Sequence, residues 1–187
     1  MLSPLVPSAG KLLISEPFLM DPNFKRSVIL LTEHQKEGTM GFILNQCSTL
    51  LLSDLIPEFT GGDFPIYLGG PVAVDTIHFL HRCYDRLQDG EALGKGIYWG
   101  GNFEALQVLI NNGSIEKHEI KFFIGYSGWS ASQLNNEMKE NTWIVSDQLD
   151  PDVVFSDNEE ELWKEVIINL GPKYAHVSNF PQNPNLN

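Results

Sequence analysis

Apolar residues along the chain fall mostly in short runs closed by Gly, Pro, Asn or Asp, and these runs are interrupted by stretches in which apolar residues recur at helical spacing. The short runs, rich in β-branched and aromatic residues, predict strands at Lys11–Ser15, Ser27–Glu33, Met40–Asn45, Pro65–Leu68, Thr76–His81, Gly96–Trp99, Ile120–Tyr126 and Trp143–Val145. Three helices are predicted among them. Asn102 caps the first, whose Phe103, Leu106 and Ile110 share a face before Asn112-Gly113 ends it. Ser130 with Gln133 forms a capping box for the second, with Ala131, Leu134 and Met138 on one face. Asp157 with Glu160 does the same for the third, where Leu162, Trp163, Val166, Ile167 and Leu170 make a broad apolar arc closed by Gly171-Pro172. A short helical turn is expected around Ser53–Ile56.

Strands that follow one another without regular helical crossovers, with helices late, indicate a single α+β domain with a mixed, mainly antiparallel sheet. The glycine pairs at 61–62, 69–70 and 100–101 permit bends that would curl this sheet. The domain is expected over residues 1–174, with a loosely held Pro- and Asn-rich tail over 175–187.

Composition narrows the partners. A net charge of −12 gives a field that repels phosphate backbones, which opposes direct nucleic-acid binding. Cys47 and Cys83 lack metal-ligand spacing and read as free thiols of a reducing compartment; with no leader or spanning run, the reading is cytoplasmic and without a membrane.

The segment GYSGWSASQL raises a nucleophile, Ser127, between a strand and a helix. In the Gly-x-Ser-x-Gly elbow small residues on both sides expose the hydroxyl, but here Trp129 stands where the second glycine belongs. The alternative hydrolase pair, Glu33-His34, points to opposite faces of a strand and would need a bulge to cooperate. His78 and His81, three apart on a strand, also face opposite ways, so no metal or cofactor is expected. Gly69-Gly70-Pro71 reads as a turn of special backbone geometry, and Asp21-Pro22-Asn23-Phe24 as a tight turn stabilised by Asp and Asn.

DPNFKRSVILLTEH, GTMGFILN, LGGPV, GYSGW-x3-QL and ENTWIV, in this order between about Gly10 and Leu170, resemble the YqgE/AlgH family. The resemblance implies a compact α+β protein with a large mixed sheet curled toward a barrel, mostly cytosolic and without an established activity; some members carry a label as transcriptional regulators. The family often has alanine at the position of Ser127, which argues against an obligatory nucleophile. Its recurring polar and glycine positions nominate Asp21, Asn23, Asn45, Gly69, Gly70, Gly128, Trp129 and Gln133 as ligand- or partner-binding candidates. The expectation is a non-catalytic binding or regulatory module that holds a protein partner or small ligand on these loops. A hydrolase using Ser127 or Glu33-His34, and a transcriptional regulator acting indirectly, are the alternatives.

Overall fold

The computed structural model describes residues 4–175; the tail expected over 175–187 lies, beyond residue 175, outside them. Ten strands form one mixed sheet: β1 (Leu12–Ser15), β2 (Val28–His34), β3 (Gly38–Ile43), β4 (Cys47–Leu51), β5 (Pro65–Leu68), β6 (Val72–His81), β7 (Glu91–Gly94), β8 (Ile97–Trp99), β9 (Ile120–Ser130) and β10 (Trp143–Ser146). The helical segments are α1 (Leu52–Leu55), α2 (Tyr84–Leu87), α3 (Phe103–Asn111), α4 (Gln133–Lys139), α5 (Pro151–Val154), α6 (Glu159–Asn169) and α7 (Pro172–Ala175), of which α3, α4 and α6 are the long ones. All eight expected strands are present. β4 and β7 are additions, too polar or too glycine-rich to stand out in the sequence.

The hydrogen-bonded path runs β10-β1-β2-β3-β9-β6-β8-β7, with β4 and β5 branching from it. Every pairing is antiparallel except β5 with β9. β9 pairs along one edge with β6; its other edge is shared, Phe122–Ile124 running parallel to β5 and Ser127–Ser130 antiparallel to β3. The strand changes partner at Gly125, whose φ of 64° lies in the left-handed region and whose added Cβ would stand 2.6 Å from the Gly70 carbonyl oxygen. The sheet therefore forks at β9 instead of closing, and the expected curl toward a barrel is corrected to an open sheet with β10 and β7 as separate edges.

The runs along β1 and β2 are apolar at consecutive positions because both faces are covered. Leu12, Ile14, Leu30 and Phe42 pack with Leu162, Trp163, Val166 and Ile167 of α6, and the Trp163 indole N–H donates to the Ser15 carbonyl at 3.0 Å. Leu13, Ile29, Leu31 and Ile43 pack on the other face with Leu134 and Met138 of α4. A third cluster, Phe79, Phe122 and Ile66 with Leu106 and Ile110 of α3, covers the β5–β9–β6 region.

The caps follow the sequence reading in part. Asn102 caps α3 through its Oδ1, which accepts from the Ala105 amide at 2.8 Å. α4 begins at Gln133 rather than Ala131, because β9 continues to Ser130; half of the expected box survives, the Ser130 amide donating to Gln133 Oε1 at 3.2 Å. Asn158, not Asp157, precedes α6.

Candidate functional site

Three of the sequence motifs meet in one aromatic knot. The Asp21 carboxylate accepts from the Asn23 amide at 2.9 Å and the Asp21 carbonyl from the Phe24 amide at 3.1 Å, a turn that swings Phe24 inward. There Phe24 stacks on Trp129, ring centroids 6.2 Å apart, and meets Trp143 edge-on at 5.6 Å. Glu137 Oε2 accepts from both indoles, at 2.8 Å from Trp129 and 2.7 Å from Trp143, while Gln133 donates to its Oε1 at 3.0 Å. Glu137 was not among the sequence candidates; a carboxylate on a helix reads as a solvent-facing residue until the strand beside it is known.

The remaining motif residues bind backbone. Asn45 spans the loop before β2, its Oδ1 accepting from the Val28 amide and its Nδ2 donating to the Arg26 carbonyl, both at 2.9 Å. Gly69 sits where an added Cβ would come within 2.4 Å of the Gly125 carbonyl oxygen, and its own carbonyl accepts from the Ile43 amide and the Ser127 hydroxyl, each at 3.0 Å. Ser127 is 0 % exposed. A hydroxyl fully buried and donating to a carbonyl lacks both the access and the base that nucleophilic attack needs. The Glu33-His34 pair also stays apart: a bulge lies between Leu31 and Glu33, but Glu33 and His34 keep successive positions opposite Met40 and Thr39, and the His34 ring meets the Thr39 hydroxyl at 2.7 Å.

The eight candidates thus divide. Asn45, Gly69 and Gln133 bond within the framework, Gln133 at an exposed position. Asn23 and Gly70, with Gln46, Leu68, Pro71 and Val74, line a cavity of about 200 Å³. Gly128 and Trp129 line a wider groove of about 440 Å³, together with Glu33, Glu37, Tyr126 and Val72. Asp21 remains exposed at its turn. The Gly70–Val74 segment separates the two concavities and carries an apolar ridge with Leu68, which is 40 % exposed, Val72, 36 %, and Val74, 64 %.

The two histidines of β6 occupy different surroundings. His78 rests against Phe42 and Tyr126, whereas His81 stacks on Tyr98 at 5.5 Å, with its Nδ1 3.6 Å from the Cys83 sulfur. Burial pushes the Cys83 thiol up to about 11, which keeps it protonated and unreactive.

These observations define an α+β protein with an open, forked mixed sheet and motif residues that brace a two-lobed surface. The chain belongs to the AlgH-like family, whose model matches residues 12–175. It is 43 % identical over 179 residues to a UPF0301 protein of Chlorobaculum parvum, covering 96 % of this chain and 95 % of that one. A UPF0301 protein of Bacteroides fragilis is 44 % identical over 184 residues, covering 98 % and 93 %. Among solved structures, a protein from Corynebacterium diphtheriae shares the fold with a TM-score of 0.80 at 23 % identity, covering 94 % of each chain. The solution structure of the AlgH protein from Pseudomonas aeruginosa gives a TM-score of 0.71 at 27 % identity over 95 % of this chain and 97 % of that one. Among the described residues no helix is long and apolar enough to cross a membrane.

Proposed function

We propose that this protein is a non-catalytic binding module that holds a protein partner on the ridge and groove beside the aromatic knot. The observation that carries this reading is the exposed Leu68–Val72–Val74 ridge beside two concavities. Exposed apolar side chains rimmed by polar residues are what partner surfaces present. The groove contributes Glu33 and Glu37 and no lysine or arginine, so a basic segment is the complementary occupant. The overall charge of −12 opposes nucleic acid as that occupant, and an influence on transcription would then run through the partner. Free Cys47 and Cys83 agree with a cytoplasmic site of action.

The test is affinity capture with the wild-type chain, Val74→Asp, and the double variant Glu33→Gln/Glu37→Gln, each at low and high salt. The reading expects one partner that Val74→Asp loses and that the double variant and salt both weaken. A partner held equally by all three chains, or a small molecule retained in its place, contradicts it.

A further inference from the structure

A concavity larger than either of these lies elsewhere, at the opposite end of β9. It has a volume of about 660 Å³ and is bounded by the first residues of the parallel pair, Pro65 and Tyr67 of β5 and Ile120 and Lys121 of β9, and by Phe155 and Asp157 from the α5–α6 connection. This volume is within the range of small-molecule sites, and Leu51, Ile120 and Phe155 supply apolar wall.

Lys121 is the unusual member. It is only 3 % exposed, yet among the described residues no carboxylate comes within ion-pair distance of its ammonium. Two of its three N–H groups donate to carbonyls, of Ser156 at 2.7 Å and Leu44 at 3.1 Å, and the nitrogen stands 4.1 Å from the centre of the Tyr67 ring. Among the described residues no third hydrogen bond to the ammonium is formed, and the Tyr67 ring face is its remaining neighbour. A buried cation held by neutral groups alone is costly, and an anion brought beside it recovers part of that cost. At the exposed mouth the charge is reversed: Asp63, Glu116 and Asp157 outnumber Lys117, and they disfavour a doubly charged anion while attracting a cation.

We propose that this cavity binds a small ligand carrying one carboxylate and one ammonium group, the carboxylate seated on the Lys121 ammonium and the ligand's ammonium among the mouth carboxylates. The site is independent of the partner surface. Supporting evidence comes from the Lys121 charge itself: desolvation lowers its pKa to about 8, against the opposing pull of Glu159 on α6, Cys47 on β4 and Asp157 in the connection, with Tyr67 of β5 held protonated by burial and by its bond to Glu159. Ligand binding therefore weakens as pH rises through that value, because the neutral amine no longer attracts a carboxylate.

The experiment is a calorimetric titration of the full chain with 6-aminohexanoate, hexanoate, hexylamine and inorganic phosphate. The expected order places 6-aminohexanoate first and hexanoate second, with hexylamine and phosphate far behind. Lys121→Met should weaken 6-aminohexanoate by at least about tenfold, the size of one charged hydrogen bond. Asp157→Asn, a change at an exposed position, should narrow the gap between 6-aminohexanoate and hexanoate. Wild-type affinity should fall about tenfold for each pH unit above about 8. If Lys121→Met does not fold, the Asp157 variant and the wild-type pH series decide. Binding of no probe by the wild type, phosphate or hexylamine as the tightest ligand, or affinity indifferent to pH and to both substitutions overturns the proposal.

Discussion

In the second half of β9 Ser127 donates to the Gly69 carbonyl and the Trp129 indole shares Glu137 with Trp143; in the first half Lys121 is as deeply buried but meets only two carbonyls and a ring. The family motifs crowd the second half, and there the buried Ser127 hydroxyl and both indole N–H groups have internal partners. The first half carries none of those motifs, and among the described residues it brings no carboxylate within ion-pair distance of the Lys121 ammonium. Motif density therefore marks where the chain must be braced, whereas the incompletely satisfied charge marks where something can bind. A serine flanked by glycines and a lysine inside an apolar run look alike as oddities in the sequence; their surroundings separate them.

Substitutions at the boundary between the halves should have the largest effect. Gly125→Ala combines left-handed strain with overlap on the Gly70 and Val72 carbonyl oxygens, and should cost about 4 kcal/mol by denaturant unfolding. Gly100→Ala has a similar φ of 68° with nothing within 4 Å, and should cost about 1 kcal/mol. Equal costs would remove Gly125 as the point where the sheet forks.

Glu137→Ala strips the shared acceptor from two indole N–H groups and should cost about 3 kcal/mol, while Glu137→Gln, which keeps one acceptor oxygen, should cost about 1 kcal/mol. Thermal or urea unfolding distinguishes them, and a neutral Glu137→Ala would mean the knot is not braced as described.

The first half predicts a pH signature of comparable size. Lys121 is lowered from 10.5 to about 8 in the folded chain, so between these values the unfolded chain binds more protons and stability rises with pH. The stability difference between wild type and Lys121→Met should be flat below pH 8 and increase in favour of wild type by about 3 kcal/mol by pH 10.5. Cys83, raised to about 11, acts in the opposite direction above pH 9, but both chains retain it and it cancels. The smallest effect belongs to Ser127→Ala, which removes one hydrogen bond and should cost about 1 kcal/mol.

Much of the framework was legible because local patterning and tertiary demand agree. The apolar runs of β1 and β2 are buried on both faces, Asn102 caps α3, and Asp21 sets its turn as its residue type predicts. β9 was not legible beyond Tyr126, where Ser127-Gly128 interrupts the run of strand formers; pairing with β3 carries the strand on to Ser130. The nominated site residues were drawn from motifs, so framework residues such as Asn45 came with them. Lys121 did carry a signal, a single charge inside IKFFI on a predicted strand. Its meaning depends on Tyr67, Leu44 and Ser156, which are distant in sequence and brought together by the fold.

The most direct test follows the Lys121 ammonium itself through a pH titration by side-chain NMR in the unliganded full chain. A midpoint near 8, moving upward when 6-aminohexanoate is added, is the result predicted for a buried cation awaiting an anion. A midpoint near the ordinary lysine value of 10.5 that no ligand moves would contradict it.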